Sequence, residues 1–118
     1  MQDYQWKHEP CLYGWKDGAA HFFIDDRKQS TVMEYDKPQK NEEHPTIKPL
    51  GLIKQLIINS SKTNQTVYDA FCGSGTTLIA CEKLNRTCYA MELKPKFCDV
   101  IIKRWETATG LKAVKVKG

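Results

Sequence analysis

One stretch limits the folds open to this chain more than any other. Thr66-Val-Tyr-Asp-Ala runs directly into Phe71-Cys-Gly-Ser-Gly and then into Thr76-Thr-Leu-Ile-Ala. The first five residues read as a short buried strand, and two glycines one residue apart make a tight loop whose backbone a ligand can approach. Thr77, Ala80, Cys81 and Leu84 then recur at helical spacing, with small side chains that allow close packing on a sheet. A second strand follows at Thr87-Cys-Tyr-Ala-Met-Glu. Strand, loop, helix and strand in that order form a βαβ unit with parallel strands, so the fold class is α/β.

Flanking segments extend the unit. Pro49 suits the first turn of a helix, where its missing N–H would be unpaired in any case, and Leu52, Ile53, Leu56 and Ile57 share one face of that helix. Asn59-Ser-Ser-Lys-Thr-Asn ends it with turn formers. Pro95 opens a last helix with Phe97, Ile101, Trp105 and Ala108 as its apolar stripe, and Gly110 fits its end. Residues 1–43 differ: Tyr4-Gln-Trp-Lys-His, Cys11-Leu-Tyr-Gly-Trp and Thr31-Val-Met-Glu-Tyr suggest short strands, and Asp17-Gly18 suggests a turn before His21-Phe-Phe-Ile. Asp36-Lys-Pro-Gln-Lys-Asn-Glu-Glu reads as a polar loop. The chain therefore divides into a strand-rich segment, 1–43, and a βαβ region, 44–118.

At 118 residues the chain is one domain in size, large enough for a core without staples. Its five cysteines, Cys11, Cys72, Cys81, Cys88 and Cys98, are odd in number and contain no C-x-x-C pair, which argues against a disulfide framework and against zinc. Reduced thiols fit a cytoplasmic protein. No apolar stretch nears the roughly 20 residues of a membrane span, and the N-terminus lacks a signal peptide's apolar stretch. Charge is uneven: residues 1–43 carry 6 Lys and Arg against 9 Asp and Glu, and residues 44–118 carry 12 against 5. Lys62, Lys83, Arg86, Lys94, Lys96, Lys103 and Arg104 give the second part a face suited to a polyanion or simply to solvent.

The ligand can be narrowed from the loop's neighbours. Glu92 stands at the end of the second strand, 19 residues after Gly73, where an acidic side chain suits the two hydroxyls of an adenosine ribose. No Lys follows Gly75, so the G-x-x-x-x-G-K-S/T phosphate loop is absent, and Leu78 occupies the place of the third glycine of a pyrophosphate loop. Asp69 would repel a diphosphate but accept hydrogen bonds from an ammonium group. Adenosine at one end and an amino acid at the other describes S-adenosylmethionine. Taken alone, Gly73 and Gly75 are also compatible with a plain tight turn.

Three segments in order carry a resemblance. His44-Pro-Thr-Ile-Lys-Pro-Leu, Asp69-Ala-Phe-Cys-Gly-Ser-Gly-Thr-Thr and Met91-Glu-Leu-Lys-Pro-Lys-Phe resemble motifs X, I and II of DNA amino-methyltransferases, H-P-T-x-K-P, D-P-F-x-G-S-G-T-T and G-I-E-L-D-P-x-Y. Their order is that of the β-type arrangement, and the tight similarity spans residues 44–107. Trp6-Lys-His-Glu-Pro-Cys-Leu-Tyr-Gly-Trp-Lys is more loosely similar to a segment preceding motif X, especially in prophage-like enzymes. Ala70 replaces the usual Pro of motif I, and Lys94 stands where Asp is common.

The resemblance implies a partial Rossmann-like, S-adenosylmethionine-dependent methyltransferase fold, its C-terminal part, with a parallel sheet and flanking helices. It implies cofactor contacts from Thr46 and Lys48 to the methionine carboxylate, and from Asp69, Thr76 and Thr77 to the methionine end, beside the Gly73-Ser74-Gly75 backbone. Phe71 would pack against the cofactor, Glu92 would take the ribose hydroxyls, and Leu93 would lie near adenine. Double-stranded DNA is the implied substrate, with residues 1–43 as a possible DNA-facing region. Trp6, Trp15, Phe22 and Phe23 are more readily core than base-stacking residues, and His44 is a turn residue rather than a base.

The family's catalytic D/N/S-P-P-Y/F/W is missing, since the chain holds no Pro-Pro. The implied function is site-specific adenine-N6 methylation of DNA, with this chain a C-terminal portion inactive alone. Cytosine-N4 methylation and a non-catalytic S-adenosylmethionine-binding remnant or subunit are the alternatives, and an NAD-type oxidoreductase is disfavoured by motif X. An incomplete sheet would leave an open edge, so a homodimer or a missing N-terminal catalytic half is expected.

Overall fold

In a computed structural model of the chain, residues 3–4, 7–36 and 47–117 are described. Helix α1 (Leu50–Ser60) starts after Pro49, whose carbonyl accepts from Ile53 N–H at 3.3 Å. Ser61 closes it, with both its N–H (3.0 Å) and its hydroxyl (2.6 Å) donating to the Ile57 carbonyl. Strand β1 (Thr66–Asp69), helix α2 (Thr76–Leu84) and strand β2 (Thr87–Ala90) follow, and α3 (Pro95–Thr109) ends at Gly110, whose φ of 72° is the left-handed cap that glycine adopts at little cost.

The two strands pair in parallel with α2 as their crossover, in the register Thr66↔Thr87, Val67↔Cys88, Tyr68↔Tyr89 and Asp69↔Ala90. The α/β expectation is met. Ile57, Ala80 and Cys81 make the buried centre, and Leu50, Ile53, Val67, Leu84 and Cys88 pack around it. Ala80 and Cys81 are wholly inaccessible, because small side chains there let α2 lie close to α1 and the sheet. Burial is also what raises the thiols: Cys88 is pushed up to about 12, first by desolvation and then by Cys81 beside it.

Several expectations need correction. Among the described residues no strand precedes α1, so the strand-rich reading of residues 1–35, Thr31–Tyr35 included, is not met where the structure describes that segment. A strand exists by exchanging hydrogen bonds with a neighbour, and alternation alone supplies none. Instead this segment is tied to α1 chiefly by side chains, with one backbone hydrogen bond beside them. Gln29 and Asn59 exchange amide hydrogen bonds at 2.7 Å each, Gln55 donates to Gln29 at 2.8 Å, and Ile24 N–H donates to the Asn59 carbonyl at 2.8 Å. The Asp17-Gly18 turn is present. The polar loop at 36–43, Trp6, His44 and Thr46 fall, apart from Asp36, outside the described residues.

Second, β1 is not buried on both faces. Val67 points into the core, whereas Tyr68 and its partner Tyr89 are each 62% exposed on the opposite face. Third, two arginines counted toward a polyanion-facing surface are structural. Arg86 donates to the Ser61 carbonyl (2.7 Å), the Ser61 hydroxyl (3.1 Å) and the Leu84 carbonyl (2.8 Å), fastening the end of α1 to the end of α2. Arg104 reaches the glycine loop. Ala108, assigned to the apolar stripe of α3, is exposed, and Trp15, assigned to the core, is 55% exposed and stacks on His21 at 3.6 Å.

Candidate functional site

The site grows from the ends of the two parallel strands. Beyond Asp69 the chain must turn away from the sheet and enter α2, and the turn is held by hydrogen bonds on every side. Asp69 Oδ1 accepts from Phe71 N–H at 3.0 Å, Cys72 N–H donates to the Met91 carbonyl at 2.9 Å, and Met91 N–H donates to the Asp69 carbonyl at 2.9 Å. Gly73 and Gly75 both take positive φ, 60° and 86°, which the sharp turn requires. At Gly75 a Cβ would meet Ile101 of α3 at 3.1 Å, so close packing adds to the demand for glycine.

Glu92 bridges the loop to the next strand end. Its Oε1 accepts from Gly73 N–H and its Oε2 from Lys94 N–H, both at 2.9 Å. Each carboxylate oxygen has more than one lone pair, so both can still accept from a ligand hydroxyl. A half-enclosed cleft of about 490 Å³ opens beside these groups, within the usual size range of small-molecule sites.

Lys48, Asp69, Phe71, Gly73, Ser74, Thr76, Thr77 and Glu92 all line this cleft, so residues singled out from three separate motifs converge. Gly75 is buried against Ile101 rather than lining it, and Leu93, 93% exposed, stands outside it. Lys48 is ion-paired with Glu9 of the N-terminal segment. Phe71 presents its ring to open space, 91% exposed.

Sequence reasoning missed four lining residues, Ile53, Cys72, Lys94 and Phe97. Lys94 and Phe97 flank the Pro95 start of α3 and were legible as neighbours of Glu92, whereas Ile53 looked like ordinary core. The Cys72 thiol is pushed up to about 11 by burial, with the Asp69 carboxylate as the next cause, so at neutral pH the cleft holds an uncharged thiol. Its negative charge comes from Asp69 and Glu92, its positive charge from Lys48, Lys94 and the first turn of α2. Such a site suits a ligand with hydroxyls, an ammonium and a carboxylate. Among the described residues no group of His, Cys, Asp and Glu is placed to hold a metal.

Comparisons with known proteins place the chain in a family. The family model of the N6/N4 methyltransferases, described as DNA methylase, matches residues 2–104. The type II methyltransferase M2.MboI of Moraxella bovis is 37% identical over 78 residues, covering 66% of this chain and 28% of that protein. M.SmaI of Serratia marcescens is 26% identical over 101 residues, 83% of this chain and 35% of its own length. In structure, the chain resembles the M1.HpyAVI–SAM complex with a TM-score of 0.64 and 27% identity, over 75% of this chain and 45% of that one. The chain thus spans about a third or less of these two curated relatives. The two-stranded parallel sheet with its helices is accordingly part of a Rossmann-like fold. This chain belongs to the N6/N4 DNA methylase family, and the two curated relatives above are named type II methyltransferases.

Proposed function

We propose that the chain is the S-adenosylmethionine-binding part of a site-specific DNA methyltransferase, of the adenine-N6 kind. The observation that carries this is the meeting of motif X, motif I and motif II side chains (Lys48, Asp69 and Glu92) in one cleft at the strand ends. Glu92 would accept from the ribose hydroxyls, and Asp69, next to the loop, from the ammonium of the methionine portion. Phe71 offers an exposed ring to stack on the ligand, and Thr76 and Thr77 add hydroxyls at the start of α2. Leu93 is assigned to the adenine edge and Thr46 to the carboxylate by family resemblance alone. Lys48 reaches that carboxylate by exchanging its Glu9 partner. The bound cofactor supplies an electrophilic methyl group to an exocyclic amine of a flipped base.

This chain's residues bind and orient; none of them replaces the absent Pro-Pro motif. Transfer therefore depends on a catalytic half supplied by a longer polypeptide or by another subunit. The exposed Tyr68 and Tyr89 face of a sheet with two strands among the described residues supports such completion, since parallel sheets are ordinarily covered on both faces. For duplex DNA, residues 44–118 offer the positive charge and residues 1–43 the exposed aromatics Tyr13 and Trp15. Cytosine-N4 methylation uses the same cofactor geometry, and a chain that binds cofactor without a catalytic partner would be a remnant.

Calorimetric titration of S-adenosylmethionine into the chain and into Glu92→Gln tests the reading. Glutamine keeps an acceptor for Gly73 N–H but halves the acceptor set, and a loss of about tenfold in affinity is expected. Equal affinity in the variant would refute the role of Glu92. A folded chain with no affinity at all would refute the cofactor site.

A further inference from the structure

The glycine loop has a second support, from a residue outside the cleft lining. Arg104, in the middle of α3, places Nη1 at 2.7 Å from the Ser74 carbonyl, 3.2 Å from the Ser74 hydroxyl and 3.4 Å from the Thr76 hydroxyl. It does not line the cleft itself and sits in a notch with Ile79, Lys103, Thr107 and Ala108. Ser74 is the residue between the two positive-φ glycines and is almost fully buried.

We propose that Arg104 is a positioning residue for cofactor binding, holding the Ser74 peptide so that the loop keeps its binding shape before ligand arrives. The inference rests on the cofactor reading above. Glycines on either side of Ser74 leave the loop the most backbone freedom in the site, and that freedom would have to be lost on binding. A trans peptide sets its C=O and N–H in opposite directions, so fixing the Ser74 carbonyl also fixes the next N–H. That N–H, of Gly75, donates to the Cys72 carbonyl at 2.9 Å. Ile101, one turn earlier on α3, presses on Gly75 from the same side.

The location is an unfavourable one for a guanidinium. It sits at the first turn of α2, the positive end of a helix, where a cation is disfavoured. Its hydrogen bonds to the loop must outweigh that cost, and its field, directed through the loop, favours the ligand carboxylate over a neutral group.

The test compares Arg104→Met and Arg104→Lys with the unaltered chain. Hydrogen–deuterium exchange follows residues 72–77 alongside β1 and β2, and calorimetry follows S-adenosylmethionine and adenosine. In Arg104→Met, loop exchange should accelerate while the strand amides keep their rates. Affinity for S-adenosylmethionine should fall about tenfold or more, as expected for losing charged hydrogen bonds, and adenosine should lose less. Arg104→Lys, a single-point donor, should recover part of both. Unchanged loop exchange and affinity in a folded Arg104→Met would overturn the proposal, as would acceleration spread evenly over loop and strands, which is the mark of a general stability role. If the unaltered chain fails to bind S-adenosylmethionine but loop exchange still responds to Arg104→Met, the cofactor reading falls and the clamp on the loop stands.

Discussion

Residues 7–36 and residues 50–109 are held together by different physics. The later region is fixed first by backbone, through helices, a parallel ladder and glycine or asparagine caps at left-handed positions such as Asn85 (φ 59°), with Arg86 and Arg104 as side-chain straps across it. The earlier one carries no helix or strand among its described residues and is fastened at a few points by side chains, chiefly Gln29 and Tyr35 on α1 and Glu9 on Lys48. A backbone-held region answers to mutation as a unit. A side-chain-held one should come away piece by piece while the rest stays folded.

The largest effect should follow from cutting the strap between α1 and α2. Arg86→Ala removes three strong hydrogen bonds to Ser61 and Leu84 and should cost about 3 kcal/mol, read as a fall in the urea midpoint for the whole βαβ region. If only the α1 signal were lost, the unit would be less cooperative than its packing implies. Gly75→Ala comes next: positive φ and the Ile101 contact together should cost about 2 kcal/mol, again across the whole region. Asn59→Ala should cost about 1 kcal/mol and act on the other region instead, exposing residues 20–36 to protease with little change in the core's unfolding midpoint. A matching drop in core stability would erase the distinction between the regions.

The smallest effect at neutral pH is the titration of the buried thiols, which is nil there. Cys72 and Cys88 keep their protons to higher pH when folded, about 11 and about 12, than the usual 9.0. Stability should therefore be level below pH 9.0 and fall as pH rises through the folded values, because the unfolded chain releases those protons first. Chemical denaturation at pH 8 and at about pH 10.5 measures it, and Cys88→Ser should flatten the slope.

The same division explains what was legible from the amino-acid order. Pro95 opening α3, Gly110 closing it, and small Ala80 and Cys81 under the sheet are local signals, and local physics decided them. Asn59 reads as a turn former after a helix, yet it lies inside α1, buried, because Gln29, thirty residues earlier, satisfies its amide. Arg86 and Arg104 look like surface charge in any pattern reading. Their fate depended on which carbonyls, 25 and 30 residues away, were turned toward them. Eight residues singled out from the motifs were legible as neighbours at one cleft, since motif spacing reports the strand ends. How the loop is braced by Arg104 was not, because nothing in the loop's own sequence names its support.

Tyr68 and Tyr89 stand side by side in register on the uncovered face of the strands, and the Tyr68 hydroxyl reaches Met91 Sδ at 3.0 Å. Any polypeptide that comes to lie across β1 and β2 must take both phenol rings out of water. The face thus carries its own optical label: the difference in near-ultraviolet dichroism between the chain and its Tyr68→Phe, Tyr89→Phe variant would register the arrival of a covering chain without a dye or tag.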